Sequence, residues 1–172
     1  FSAFAEGVSL YSAFAVLYSF QMRNLLKGVG QQMKWSVRDE SLHSKMGCQL
    51  FRHMCSQIPG LKEECKEHVY DAALTMHNAE MTYISKLFEM GDIEGITEYD
   101  LKHFIKKRTG DKIQELGYKA EGKFKFEYDQ KSIDKMAWFD HLTGGHTHTD
   151  FFAIRPTDYS KANEGEDFED VW

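Results

Sequence analysis

The stretch Trp35-Ser-Val-Arg-Asp-Glu-Ser-Leu-His43 sets Glu40 and His43 three residues apart inside a helical pattern. At i and i+3 the two side chains leave one flank of a helix, a hard oxygen donor beside an imidazole, so both can grip a metal ion from one direction. Ser36, Glu40, His43 and Gly47 share one stripe, and the small residues at its ends leave room for a neighbouring helix or an ion. Alone the pair is a weak signal. A chain with 27 acidic residues and eight histidines produces Glu-x-x-His by chance, as a solvated Glu beside a surface His.

Glu6 changes the weighing. It is the one charged residue in the segment Phe1 to Phe20, among Phe, Ala, Val, Leu, Tyr and Ser. An ionised carboxylate there costs several kcal/mol unless something positive meets it, so it should be paired, protonated or bound to metal. The midpoint between Glu6 and Glu40 is residue 23, in the polar block Gln21-Met-Arg-Asn24, where an antiparallel helical hairpin would turn. At about 1.5 Å of rise per residue in both arms, that turn brings Glu6 level with Glu40. A lone Glu on one helix beside Glu-x-x-His on its antiparallel neighbour is half of the carboxylate-bridged di-metal site of ferritin-like bundles.

The 172 residues suit one domain, and 42% hydrophobic with 14% aromatic content is enough for a core. Two prolines and helix formers throughout make the class all-α. A net charge of −6 without a basic stripe argues against a nucleic-acid partner. Cys48, Cys55 and Cys65 lack C-x-x-C spacing and read as reduced thiols of a cytoplasmic protein. The apolar opening has the length of a membrane span, but Glu6, four serines and the lack of flanking positive charge read against a membrane or a signal peptide. The chain enters a helix at once, which reads as the continuation of a longer fold.

Periodicity predicts a first helix from Phe1 to about Phe20, with Phe4, Leu10, Phe14 and Leu17 recurring. Gly7 loosens it beside Glu6. A second helix runs from about Gly28 to Ser56, its face of Met33, Val37, Met46, Leu50 and Met54 read as core, and Pro59-Gly60 closes it. A third covers about Leu61 to Met90, with Val69, Ala73, Met76, Ala79, Tyr83 and Leu87 inward. A fourth spans Thr97 to Leu116 behind a capping signature at Thr97 to Asp100. Lys119 to Gln130 alternates Phe124, Phe126 and Tyr128 with polar residues, as an extended edge would, and a helical turn follows from Ser132 to Leu142. The basic run Lys102 to Arg108 reads as a solvated face, and His53, His68, His77 and His103 as surface or core-edge residues. His141, His146 and His148 lack acidic or thiol partners at ligand spacing. Residues 1–142 are thus expected to form a bundle and 143–172 a flexible tail, whose Phe168, Val171 and Trp172, set among acids, have the pattern of a segment that docks in a partner's groove.

Ser36-Val-Arg-Asp-Glu-Ser-Leu-His43 resembles the Arg-Asp-Glu-x-x-His signature of the small, radical-generating subunit of class I ribonucleotide reductase, with Glu6 at that family's spacing. Thr149-Asp-Phe-Phe-Ala-Ile-Arg-Pro-Thr-Asp-Tyr159-Ser-Lys is similar to the segment introducing the family's C-terminal tail. The resemblance covers the whole chain but only the C-terminal half of the usual subunit.

The resemblance implies that Glu6, Glu40 and His43 ligate one metal of a di-iron or manganese/iron centre, with one carboxylate bridging to the other metal. It implies that Asp39 hydrogen-bonds a metal-ligating histidine of the other half and helps couple proton and electron movement; the bland alternative is an ion pair with Arg38 or a neighbour. Tyr159 would relay the radical equivalent, against the alternative of a solvated loop tyrosine, and the tail would bind the large subunit. Phe4, Leu10 and Phe14 would supply an apolar surround. The family's first metal site and its radical-bearing tyrosine have no counterpart, so the chain is expected to need the N-terminal half, as a fragment or a split subunit, and to join a small-subunit dimer. Another ferritin-like di-metal oxidase, or a non-catalytic helical segment that only binds the large subunit, are the competing readings.

Overall fold

The structure, a computed structural model, describes residues 2–143, with side chains as far as residue 140. The apolar opening forms one rod in three pieces: α1 (Ser2–Phe4), a π-helical turn (Ala5–Ser9) and α2 (Tyr11–Met22). The chain reverses through Arg23, Asn24 and Leu26, the last two with left-handed backbones, and returns as α3 (Lys27–Gln57) against α2. The hairpin expected around residues 21–24 is therefore present, displaced by about two residues. Pro59 cannot continue the helix and Gly60 turns the chain at φ +85°.

The predicted third helix is broken at Cys65 into α4 (Leu61–Glu64) and α5 (Lys66–Phe88). A turn carrying an isolated bridge between Ile93 and Ile96 leads to α6 (Glu98–Glu115), which packs on α5. The cap expected at Thr97 is formed: its Oγ1 accepts from the Asp100 amide at 3.0 Å. Residues 119–130 are not an extended edge; a 3-10 turn (Gly122–Phe124) and irregular chain place Phe124 flat on Tyr70, and no strand occurs among the described residues. Finally α7 (Gln130–Thr143) lies on α6 and buries Phe139 amid Tyr11, Tyr18 and Phe104.

The all-α architecture stands, but the core faces differ from the periodicity reading. Along the first rod the buried stripe is Phe4, Val8, Tyr11, Phe14, Ala15 and Tyr18. Leu10 and Leu17 each stand one residue before a buried tyrosine, a rotation of about 100°, and are exposed. On α5 the core face is Tyr70, Ala73, His77, Glu80 and Ile84, whereas Ala79 and Tyr83 face out. Two polar groups are inside: Glu80 meets the Ser12 hydroxyl, and His77 lies against the Phe126 ring with its Nδ1 unpartnered among the described residues.

The largest correction is on α3. Its buried face is Gly30, Val37, Ser44 and Cys48, while Met46, Leu50 and Met54 are exposed, Leu50 by 61%. Trp35 and Leu42 are exposed beside them. The helix carries a second apolar face that nothing in the described residues covers. The segment Ser2–Met22 is long and apolar enough to cross a membrane by composition, and 56% of its most apolar window is buried within the fold.

Candidate metal centre

Both arms of the α2/α3 hairpin contribute to the site. Glu6 lies in the π turn, and Glu40 and His43 lie one turn apart on α3. One ligand atom from each of Glu6, Glu40 and His43 falls within 4.8 Å of the other two. His43 Nδ1 is 3.6 Å from Glu40 Oε2, and its Nε2 is 3.8 Å from Asp39 Oδ1. The Ser2 hydroxyl lies 2.6 Å from Glu6 Oε2 and 3.0 Å from the His43 carbonyl oxygen, and donates to one at a time. Glu6 and Glu40 are half-buried, and the His43 side chain is 48% exposed.

This donor set fits a divalent or trivalent metal ion. Two carboxylates converge on one imidazole, and among the described residues no lysine or arginine forms an ion pair with either. Converging carboxylates repel unless a cation or proton lies between them. Oxygen and imidazole donors suit iron or manganese, while the three cysteines are elsewhere and free. Bonds of about 2.1 Å hold two donors at most about 4.2 Å apart, so the three close somewhat on one another to meet a single ion.

Asp39 is exposed, and its nearest partner is His43 on its own helix rather than Arg38. Tyr159, Phe168, Val171 and Trp172, with His146 and His148, lie outside the described residues, as does the His141 side chain. Leu10, expected in an apolar surround with Phe4 and Phe14, is exposed; the two phenylalanines are buried.

Several contacts around the site were not read from the sequence. Gly7, next to Glu6, is a crossing point: a Cβ there would run into Ser44 Oγ of α3 and the Lys112 side chain of α6. Arg108, read as part of a solvated face, instead turns inward and donates two hydrogen bonds to the Gly7 carbonyl, from Nε at 3.2 Å and Nη2 at 3.1 Å. Its guanidinium carbon sits 3.3 Å from the centre of the Tyr11 ring. The Tyr11 and Ser41 hydroxyls share a hydrogen bond at 2.6 Å. No local spacing announces Arg108, because its acceptor is 101 residues away.

Comparison with known proteins gives a consistent picture. Residues 1–124 match the family described as ribonucleotide reductase, small chain. The probable ribonucleoside-diphosphate reductase small subunit 048L of Invertebrate iridescent virus 3 is 31% identical over 172 residues, covering 95% of this chain and 42% of that protein. The probable small subunit 376L of Invertebrate iridescent virus 6 is 27% identical, over 100% of this chain and 53% of that protein. The ribonucleoside-diphosphate reductase subunit beta of Haemophilus influenzae is 26% identical over 117 residues, 65% of this chain and 31% of that protein. The chain thus spans about half the length, or less, of these relatives.

Proposed function

The chain belongs to the ribonucleotide reductase small-chain family, and from that premise we propose that it supplies one half of the metal site of a ribonucleoside-diphosphate reductase small subunit. Glu6, Glu40 and His43 hold one ion of a di-iron or manganese/iron centre, and the remaining ligands come from outside residues 1–172. The observation that carries this is the convergence of two carboxylates and an imidazole from neighbouring helices without a basic side chain between them.

The roles follow from the groups present. Glu6 and Glu40 offset the charge of an oxidised metal, and His43 adds a neutral nitrogen with directional preference. Asp39 lies 3.8 Å from the second nitrogen of His43, within ion-pairing range but beyond a hydrogen bond. Ser2 orients Glu6. When bound, the metal pair supplies the one-electron oxidising power that side chains lack. On the sequence resemblance alone, Asp39 and Tyr159 carry the oxidising equivalent onward, and Phe168, Val171 and Trp172 dock on the large subunit.

Two partners follow. The exposed face of α3, where Trp35, Leu42, Met46 and Leu50 surround Asp39 and His43 at helical spacing, suits the remainder of the small-subunit bundle, joined to this chain or separate. It supports that reading because the face and the incomplete ligand set lie on the same side of one helix. A small-subunit dimer and a large catalytic subunit complete the assembly.

The experiment is a titration of this chain with Mn(II), followed by paramagnetic resonance, alone and then with the N-terminal part of a small subunit. Expected are one weakly held ion on the chain alone, lost in Glu40→Gln and His43→Ala, and two ions with a radical signal only in the mixture. Binding that survives both substitutions would overturn the assignment.

A further inference from the structure

Arg108 is the least expected group in the molecule. It is a half-buried cation between α6 and the first rod, and among the described residues no carboxylate lies within ion-pairing distance of it. Burial pushes its guanidinium toward giving up its proton, opposed by the Tyr11 hydroxyl and by more distant acids. A charge kept in such a place at a cost calls for a reason. Its immediate surroundings are the Gly7 carbonyl, the face of Tyr11 and, at 5.6 Å, the ring of Phe104.

Each of these contacts leads to a ligand. Gly7 follows Glu6 directly, and its carbonyl belongs to the π turn, where the backbone departs from the α-helical bonding pattern and needs outside donors. The planar fork of the guanidinium meets that carbonyl with two N–H groups, which an ammonium cannot reproduce. Tyr11, under the guanidinium, reaches across to Ser41, which follows Glu40 directly. One side chain of α6 is thereby tied to the residue after each of the two carboxylates.

We propose that Arg108 is a positioning residue for the metal site: it holds the π turn at Gly7 and, through Tyr11 and Ser41, sets the separation of Glu6 from Glu40. The role rests on the assignment of Glu6, Glu40 and His43 as metal ligands, but the hold on the π turn does not. An arginine at 108 orders the Glu6 segment whether or not an ion is bound.

The test uses the full chain carrying Arg108→Lys or Arg108→Met, with Lys107→Met as a control from the outer side of the same helix. Two quantities are read: amide hydrogen exchange across residues 5–12 without metal, and Mn(II) affinity by paramagnetic resonance, with far-ultraviolet dichroism confirming that each variant is folded. The expected result is faster exchange confined to residues 5–12 and about tenfold weaker Mn(II) binding in both Arg108 variants, lysine failing to rescue, and neither change in Lys107→Met. Tyr11→Phe, which keeps the ring and removes the link to Ser41, should weaken Mn(II) while leaving exchange at residues 5–12 near wild type. Unchanged exchange in Arg108→Met overturns the proposal, as does altered exchange with unchanged Mn(II) affinity. Altered exchange with no Mn(II) bound even by the wild-type chain upholds the grip on the π turn and refutes the ligand assignment instead.

Discussion

Glu80 of α5 accepts a hydrogen bond from the hydroxyl of Ser12 of α2 inside the core, with 4% of its surface exposed. Burial lifts its carboxyl to about 7, against a partial opposing effect of the Ser12 bond. The folded chain therefore keeps a proton that the unfolded chain releases near pH 4.5. Stability falls as pH rises from about 4.5 to 7 and levels off above. Glu80→Gln, which preserves the bond, should match wild type near pH 4 and exceed it at pH 8 by about 1 to 3 kcal/mol. Urea unfolding at both pH values checks this, and parallel curves for the two proteins would show that Glu80 is solvated.

His77, one turn before Glu80 on the same face, gives the opposite limb. Burial first, then the nearby Lys106, lowers its imidazole to about 4; the ring lies 4.5 Å from Phe126, and its Nδ1 is buried without a partner. The unfolded chain takes up a proton near pH 6.5 that the folded chain refuses until about 4, so this residue's contribution falls as the medium is acidified through that range. His77→Leu should remove the acid-side loss, about 1 to 3 kcal/mol at pH 4.5, and cost little at pH 8. Proton resonances of the ring, followed against pH, give the titration point directly; a midpoint near 6.5 would contradict the burial.

The pairing of Glu6 with Glu40 was legible because it needs only the length of two helical arms and a turn between them, and errors of a residue or two in the turn shift both arms little. The π turn was less legible. Gly7 signalled a looser helix, but the cause lies in Ser44, Arg108 and Lys112, on elements far along the chain. Glu80 was not singled out, and His77 was read no deeper than the core edge, for a related reason: period 3.6 ranks polar residues outward, and a carboxyl 68 residues from its hydroxyl partner gives no local sign of burial. On α3 the face read as core joined Val37, which is buried, to Met46, Leu50 and Met54, which are exposed, and periodicity has no means of saying which apolar residues meet the same chain.

Gly7 and Gly110 test the difference between a crossing point and an open helix face. Alanine at Gly7 gains about 1 kcal/mol of helix propensity but drives its Cβ into Ser44 Oγ and Lys112, for a net loss of about 1 to 3 kcal/mol. Alanine at Gly110, in the interior of α6 with nothing within 4 Å of the added carbon, should gain about 0.5 to 1 kcal/mol. Denaturant midpoints decide. Gly7→Ala combined with Ser44→Gly should recover part of the loss, and strict additivity of the two substitutions would show that they do not collide.

The outer face of α3 separates packing within the chain from packing against something else. Leu42, Met46 and Leu50 follow each other at four-residue spacing and are more than half exposed, so replacing them removes little buried surface. Met46→Glu and Leu50→Lys should therefore leave the thermal midpoint of this chain unchanged within the equivalent of about 0.5 kcal/mol. The same variants, mixed with the N-terminal part of a small subunit, should lose association by about 100-fold, because a charge would then be buried without a partner. Calorimetry of the chain and of the mixture reads the two effects separately. A fall in the midpoint of the chain alone would mean that the face is already packed. Undiminished association would mean that the remainder of the bundle meets α3 on its basic flank at Lys45 and Arg52, and that Asp39 and His43 stay in water.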